Sequence, residues 1–102
     1  MSNLKKLFDA LHIDLAISSL GEIKWACDLI IDVQEMSGAE RSCICMTFNR
    51  GPVDDGEIPS KVGRDNLLEK GYIAKIVVKG EDGFNACTHK GAWAFRLIDA
   101  GI

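Results

Sequence analysis

The sequence predicts a small α+β domain, rich in helix, whose C-terminal half runs helix, β-hairpin, helix. Three stretches predict it. Pro59-Ser60 opens an amphipathic segment that Gly71 closes. Tyr72 to Lys79 is an alternating run with many β-branched residues, followed by turn residues and a second alternating run. Thr88 then precedes a segment with Trp93/Leu97 and Ala94/Ile98 four residues apart on one apolar side, ending at Gly101.

The first of these segments, residues 60–70, places Ile58, Val62, Leu67 and Leu68 against polar Lys61, Arg64, Asp65, Asn66 and Glu69. That spacing predicts a helix of about three turns. Gly63 inside it costs ~1 kcal/mol relative to Ala, so the helix depends on packing. In the hairpin, residues 72–88, Tyr72, Ala74, Ile76 and Val78 share one face. Lys75 and Lys79 fall on the other, beside Ile73 and Val77. Gly80-Glu81-Asp82-Gly83 reads as the turn, because Asp-Gly is a strong hairpin signal. Phe84, Ala86 and Thr88 return antiparallel.

Toward the N-terminus, Leu4, Leu7, Phe8 and Leu11 form an i, i+3, i+4, i+7 stripe that predicts a short first helix. Ser19-Leu20-Gly21-Glu22 is a capping box for a longer helix reaching about Met36. Ile23, Ala26/Cys27, Ile30 and Val33 make one apolar stripe of that helix, and Trp25, Leu29 and Met36 make another. A helix apolar on two sides is expected at the centre of the packing. Ser37-Gly38-Ala39-Glu40 is a second capping box and favours a helix to about Phe48. The competing reading is a strand, since Ser42, Ile44, Met46 and Phe48 alternate with Cys43, Cys45 and Thr47. Residues 49–57 read as a loop. The predicted core is Leu7, Phe8, Ile23, Cys27, Ile30, Val62, Leu67, Ile73, Ile76, Trp93 and Leu97.

A chain of 102 residues with 47% hydrophobic and 26% charged residues is an ordinary globular domain, and residues 1–102 read as a single one. No run reaches the ~20 apolar residues of a membrane helix. Asp9 and Asp14 fall where a signal peptide stays apolar, so a cytoplasmic location is expected. The net charge of −3 is unevenly spread. Residues 1–57 hold five Lys/Arg against ten Asp/Glu, net −5, and residues 58–102 hold seven against five, net +2. The positive surplus lies on the helix–hairpin–helix half.

Four cysteines, at 27, 43, 45 and 87, sit in apolar surroundings and read as reduced core thiols. Cys43-x-Cys45 and Cys87-x-His89 offer a zinc-like donor set. Their spacing differs from the roughly two to four intervening residues of zinc ribbons and fingers, so no metal is assigned. Asp54-Asp55-x-Glu57 reads as a solvated acidic loop and matches no calcium-loop pattern. His12 and His89 have no nucleophile-elbow Ser or Cys near them in sequence, and no glycine-rich phosphate loop is present. Neither an enzyme nor a cofactor is expected.

Leu67-Leu68-Glu69-Lys70-Gly71-Tyr72-Ile73, a charged hairpin, and Thr88-His89-Lys90-Gly91 opening a helix together resemble the C-terminal half of winged-helix regulators of the MarR and PadR families. About 40 of the 102 residues are covered. The resemblance implies a winged helix-turn-helix with 60–70 as recognition helix and 72–88 as wing, and a DNA-binding transcriptional regulator that dimerises. Ser60, Lys61, Arg64 and Asn66 are then candidates for the major groove, and Lys75, Lys79 and Lys90 for the flanking phosphates. The first helix and the last, with Trp93 and Phe95, are the candidate dimer surfaces. Glu81 and Asp82 depart from the basic wing tip expected of such proteins. Together with the acidic N-terminal half they support an alternative, a protein-interaction module of the kind a phage or mobile element carries as an accessory factor, with no DNA contact.

Overall fold

The computed structural model describes residues 20–102. The expected first helix, with Leu7 and Phe8 of the predicted core, and Ser19 of the first capping box lie outside the described residues. The architecture is α+β. The elements are α1 (Leu20–Glu35), α2 (Gly38–Arg50), β1 (Val53–Asp54), α3 (Lys61–Lys70), β2 (Ile73–Val78), β3 (Glu81–Cys87) and α4 (His89–Asp99). The strands form one antiparallel sheet in the order β1-β3-β2.

Residues 38–50 are helical, and the capping box decided the contest with a strand. Ser37 Oγ accepts the Glu40 amide at 3.1 Å, and Glu40 Oε1 accepts the Ser37 amide at 3.2 Å. Two otherwise free donors are satisfied at the moment the helix starts, which outweighs a weak alternation of apolar residues. The same logic starts α3 and α4. Ser60 Oγ accepts from Gly63 N–H at 3.0 Å, and Thr88 Oγ accepts from Gly91 N–H at 3.1 Å. Gly71, with φ 84°, ends α3, and the Tyr72 amide returns to the Leu67 carbonyl at 2.9 Å.

The hairpin turns two residues earlier than the sequence suggests. Lys79 and Gly80 both have positive φ, 51° and 83°, and Val78 pairs with Glu81 across them. This two-residue loop has the positive φ at both positions that a tight hairpin matched to strand twist requires. Glu81-Asp82-Gly83 belongs to β3 instead. Between the pairs Ile76↔Phe84 and Val78↔Glu81, two steps on β2 face three on β3, so Asp82-Gly83 carries a bulge. The Asp-Gly pair is a strand irregularity rather than a turn, and the hairpin tip carries Lys79 rather than the two acids. Residues 53–54, expected within a loop, pair with Asn85 and Phe84 as the third strand.

The core gathers Ala26, Leu29, Ile30, Val33 and Met36 of α1 with Ile44, Leu67, Tyr72, Ile73, Ala94 and Leu97. Ile23, Cys27 and Trp93 pack against it half-buried. Two predicted core residues are misplaced. Val62 is 73% exposed, because the inward face of α3 is Gly63 and Leu67, one turn apart, and Val62 sits about 100° away from it. Ile76 is half-buried, because the inward sheet face carries Ile73, Val53 and Asn85 while Ile76 pairs with Phe84 on the opposite face. The second stripe of α1 is divided: Leu29 and Met36 are buried, whereas Trp25 is 40% exposed.

Two glycines set how closely the helices approach. A Cβ on Gly63 would lie 3.3 Å from the Glu40 amide nitrogen at the start of α2, so the glycine that weakens α3 locally also lets the two helices touch. A Cβ on Gly91 would lie 2.2 Å from the Tyr72 carbonyl oxygen and 2.6 Å from Cys87 Sγ. Gly91→Ala therefore forces α4 off the base of the hairpin. It is expected to destabilise the domain by about 1–3 kcal/mol, the range of overpacked interiors, read as a lowered midpoint in urea unfolding.

Candidate nucleic-acid interface

The outward face of α3 is built by the same phase that buries Gly63 and Leu67. Lys61, Val62, Asp65, Asn66 and Glu69 are exposed along it. Lys79 stands exposed at the hairpin tip. Ser60 is half-buried and its hydroxyl accepts the Gly63 amide, so it serves α3 as a cap.

Arg64 and Lys75 are occupied. The Arg64 side chain is 12% exposed. Its Nη1 donates to Asp55 Oδ1 at 2.7 Å, and its Nε and Nη2 reach Asp65 Oδ1 at 3.0 and 2.9 Å. Lys75 Nζ donates to the same Asp55 Oδ1. Asn85 Nδ2 is the third donor to that oxygen, at 2.8 Å, and also reaches the Val53 carbonyl at 3.1 Å. Asp55 thus joins α3, β2 and β3 through one atom. Its backbone is fixed as well, the amide donating to the Gly83 carbonyl at 2.9 Å beside the β3 bulge. Hydrogen bonds from Lys75 and Asn85, with the charges of Lys75 and Arg64, hold the Asp55 carboxyl down at about 2.

Lys90 is engaged elsewhere. Its Nζ lies 4.4 Å from the centroid of the Tyr72 ring and donates to the Lys70 carbonyl at 2.9 Å. Tyr72 is fully buried, and its hydroxyl donates to Asp32 Oδ2 at 2.7 Å. Burial first, and the Asp32 carboxylate second, push the Tyr72 phenol well above its ordinary range. The predicted set therefore separates: Lys61, Asn66 and Lys79 are free on the surface of the α3–hairpin unit, while Ser60, Arg64, Lys75 and Lys90 bind partners within the chain.

Sequence reasoning passed over Asp55 and Asn85. Asp55 sits in a stretch whose composition looks solvated, and Asp54 and Glu57 are indeed exposed. The legible signal was Asn85, an amide in the middle of a strand, which demands a buried partner. Its Nδ2 has two acceptors, while its buried Oδ1 has no partner among the described residues. Among the described residues no group of three His, Cys, Asp or Glu side chains is placed to hold a metal ion. No described helix is long and apolar enough to cross a membrane. Comparison of the chain with family models, curated proteins and solved structures finds no match.

The Asp55 junction has a defined pH dependence. A carboxyl held near 2 in the fold, against ~3.9 when unfolded, stabilises the protein fully above about pH 4. That contribution is lost as pH falls through about 2. Asp55→Asn is expected to melt at a lower temperature than the native chain at neutral pH. The two melting curves should converge between pH 4 and pH 2, and a gap that stays constant across that window would exclude the junction as its source.

Proposed function

We propose that this domain binds double-stranded DNA as a small transcriptional regulator of winged helix-turn-helix type. In this reading α3 enters the major groove and the β2–β3 hairpin lies alongside as the wing. The observation that carries it is the face of α3, held from behind by Gly63 and Leu67 and free in front at Lys61, Val62 and Asn66. The three side chains suit a groove. Lys61 meets a phosphate or a guanine edge, Asn66 offers an adenine its paired donor and acceptor, and Val62 offers methyl groups to a thymine C5-methyl. Lys79, raised on the two-residue turn, faces the flanking backbone. The connection from α2 to α3 spans residues 51–60 and includes β1, longer than the usual tight turn, and α3 packs on both α2 and the sheet. The last helix, with half-buried Trp93 and Phe95, is the surface through which two copies would pair on palindromic half-sites.

Fluorescence anisotropy against a labelled random-sequence duplex tests this reading. Micromolar binding at low salt, weakening linearly in log[salt], is expected, and no binding at about 20 mM salt would sink it. On duplexes enriched from a random pool, Asn66→Ala is expected to cost about tenfold. Replacing the contacted thymine by uracil removes one methyl group and should cost about fourfold, a loss that Val62→Ala abolishes.

A second reading rests on a different surface. Trp25, Asp28 and Asp32 of α1, with Tyr72 and Lys90, line an open cleft of about 370 Å³. The exposed Trp25 indole suits a cationic side chain of a partner protein. Under this reading Trp25→Ala abolishes partner capture and Lys61→Ala leaves it intact, the reverse of the pattern expected for DNA.

A further inference from the structure

We infer that Arg64, Lys75 and Asn85 form a phosphodiester-binding cradle, and that Asp55 occupies it in the free chain as an internal competitor. This rests on the DNA reading above. Three donors from α3, β2 and β3 converge on the single oxygen Asp55 Oδ1. One carboxylate oxygen offers about two lone-pair directions, so three donors exceed what it accommodates well. A phosphate group, with two non-bridging oxygens and a full charge, matches that donor set better. Arg64 is carried by α3 and Lys75 by the hairpin, the two elements that a DNA backbone passes if that helix lies in the groove. The competing carboxylate does not belong to the three elements that supply the donors. It is carried by the connection that runs from β1 to α3, and with the Asp55 amide held by the Gly83 carbonyl it leaves by rotation of its side chain, which keeps β2 paired with β3. With Asp55 in place, Arg64, Lys75, Asp55 and Asp65 sum to zero charge, and the region presents no surplus to a phosphate backbone. Asp55 thereby keeps affinity low until its side chain turns away.

The test is the salt dependence of duplex binding for the native chain, Asp55→Asn and the triple variant Asp55→Asn/Arg64→Gln/Lys75→Met, with circular dichroism establishing that each is folded. Arg64 stays paired with Asp65, so removing the Asp55 charge frees a surplus of one cation, which adds about one phosphate contact and steepens the log–log salt slope by about 0.9. Between 50 and 200 mM salt the affinity of Asp55→Asn should therefore fall about threefold further than that of the native chain, and the triple variant should lose that extra steepness. A folded Asp55→Asn with the native slope overturns the inference and leaves the DNA reading standing. Absence of binding by every variant at low salt overturns both. If Asp55→Asn does not fold, Lys75→Met alone decides. It leaves the native slope unchanged if Asp55 already neutralises that lysine, and a slope shallower by about 0.9 overturns the proposal. Inorganic phosphate is the control for the source of the phosphate. Thermal stabilisation of Asp55→Asn by millimolar phosphate without tighter duplex binding assigns the cradle to a free anion and overturns its role toward DNA.

Discussion

The fold depends on the place where α4 crosses the base of the hairpin. Gly91 lies so close to the Tyr72 carbonyl that a single added carbon would overlap it. The crossing is bonded as well as packed: the Thr88 amide donates to the Tyr72 carbonyl at 3.1 Å, and the Thr88 hydroxyl donates to the Gly71 carbonyl at 2.6 Å. Tyr72 is therefore fixed from the backbone side by α4 and from the ring side by Asp32 of α1, and it is wholly buried between them. Its position fixes the start of β2. A polar ring at the centre of an apolar core is tolerable because its one hydroxyl has an acceptor.

A second junction, at Asp55, works by charge rather than close packing. It joins the outer end of the same unit, tying α3 to the two long strands through Arg64, Lys75 and Asn85. The two junctions differ in how easily they yield. Steric contact at Gly91 has no alternative arrangement, whereas three donors around one carboxylate are satisfied equally by another anion. Arg41 adds a third tie at the opposite end, its guanidinium donating to the Val33 and Ile102 carbonyls at 2.6 and 2.7 Å and so holding the ends of α1 and α4 together.

Charge placement accounts for the modest basicity of the α3–hairpin face. Counted along the chain, residues 58–102 carry a surplus of two positive charges. In space, Arg64 and Lys75 are neutralised by Asp55 and Asp65, and Lys90 is turned onto Tyr72. The cations left on that face are fewer than the sequence implies, yet one of them, Lys79, stands at the tip where the acids were expected. The bulge at Asp82-Gly83 accompanies this exchange: the Asp-Gly pair lies in β3 and the turn falls two residues earlier.

The sequence by itself determined the elements whose signals are local. Ser37 with Glu40, Ser60, Gly71 and Thr88 satisfy or end helices through bonds reaching only a few residues, so α2, α3 and α4 begin where their side chains require. The alternation of Ile73 to Val78 marked β2 for the same reason. Tertiary structure decided what depends on partners distant in sequence. The two-residue strand β1 exists only through pairing with β3, and Val62 is exposed because α2 selects Gly63 as the contact point. Asp55 gained its three donors from residues 9, 20 and 30 positions away. Composition records which charges a chain carries, but a charge is free or paired according to what the fold brings within about 4 Å of it.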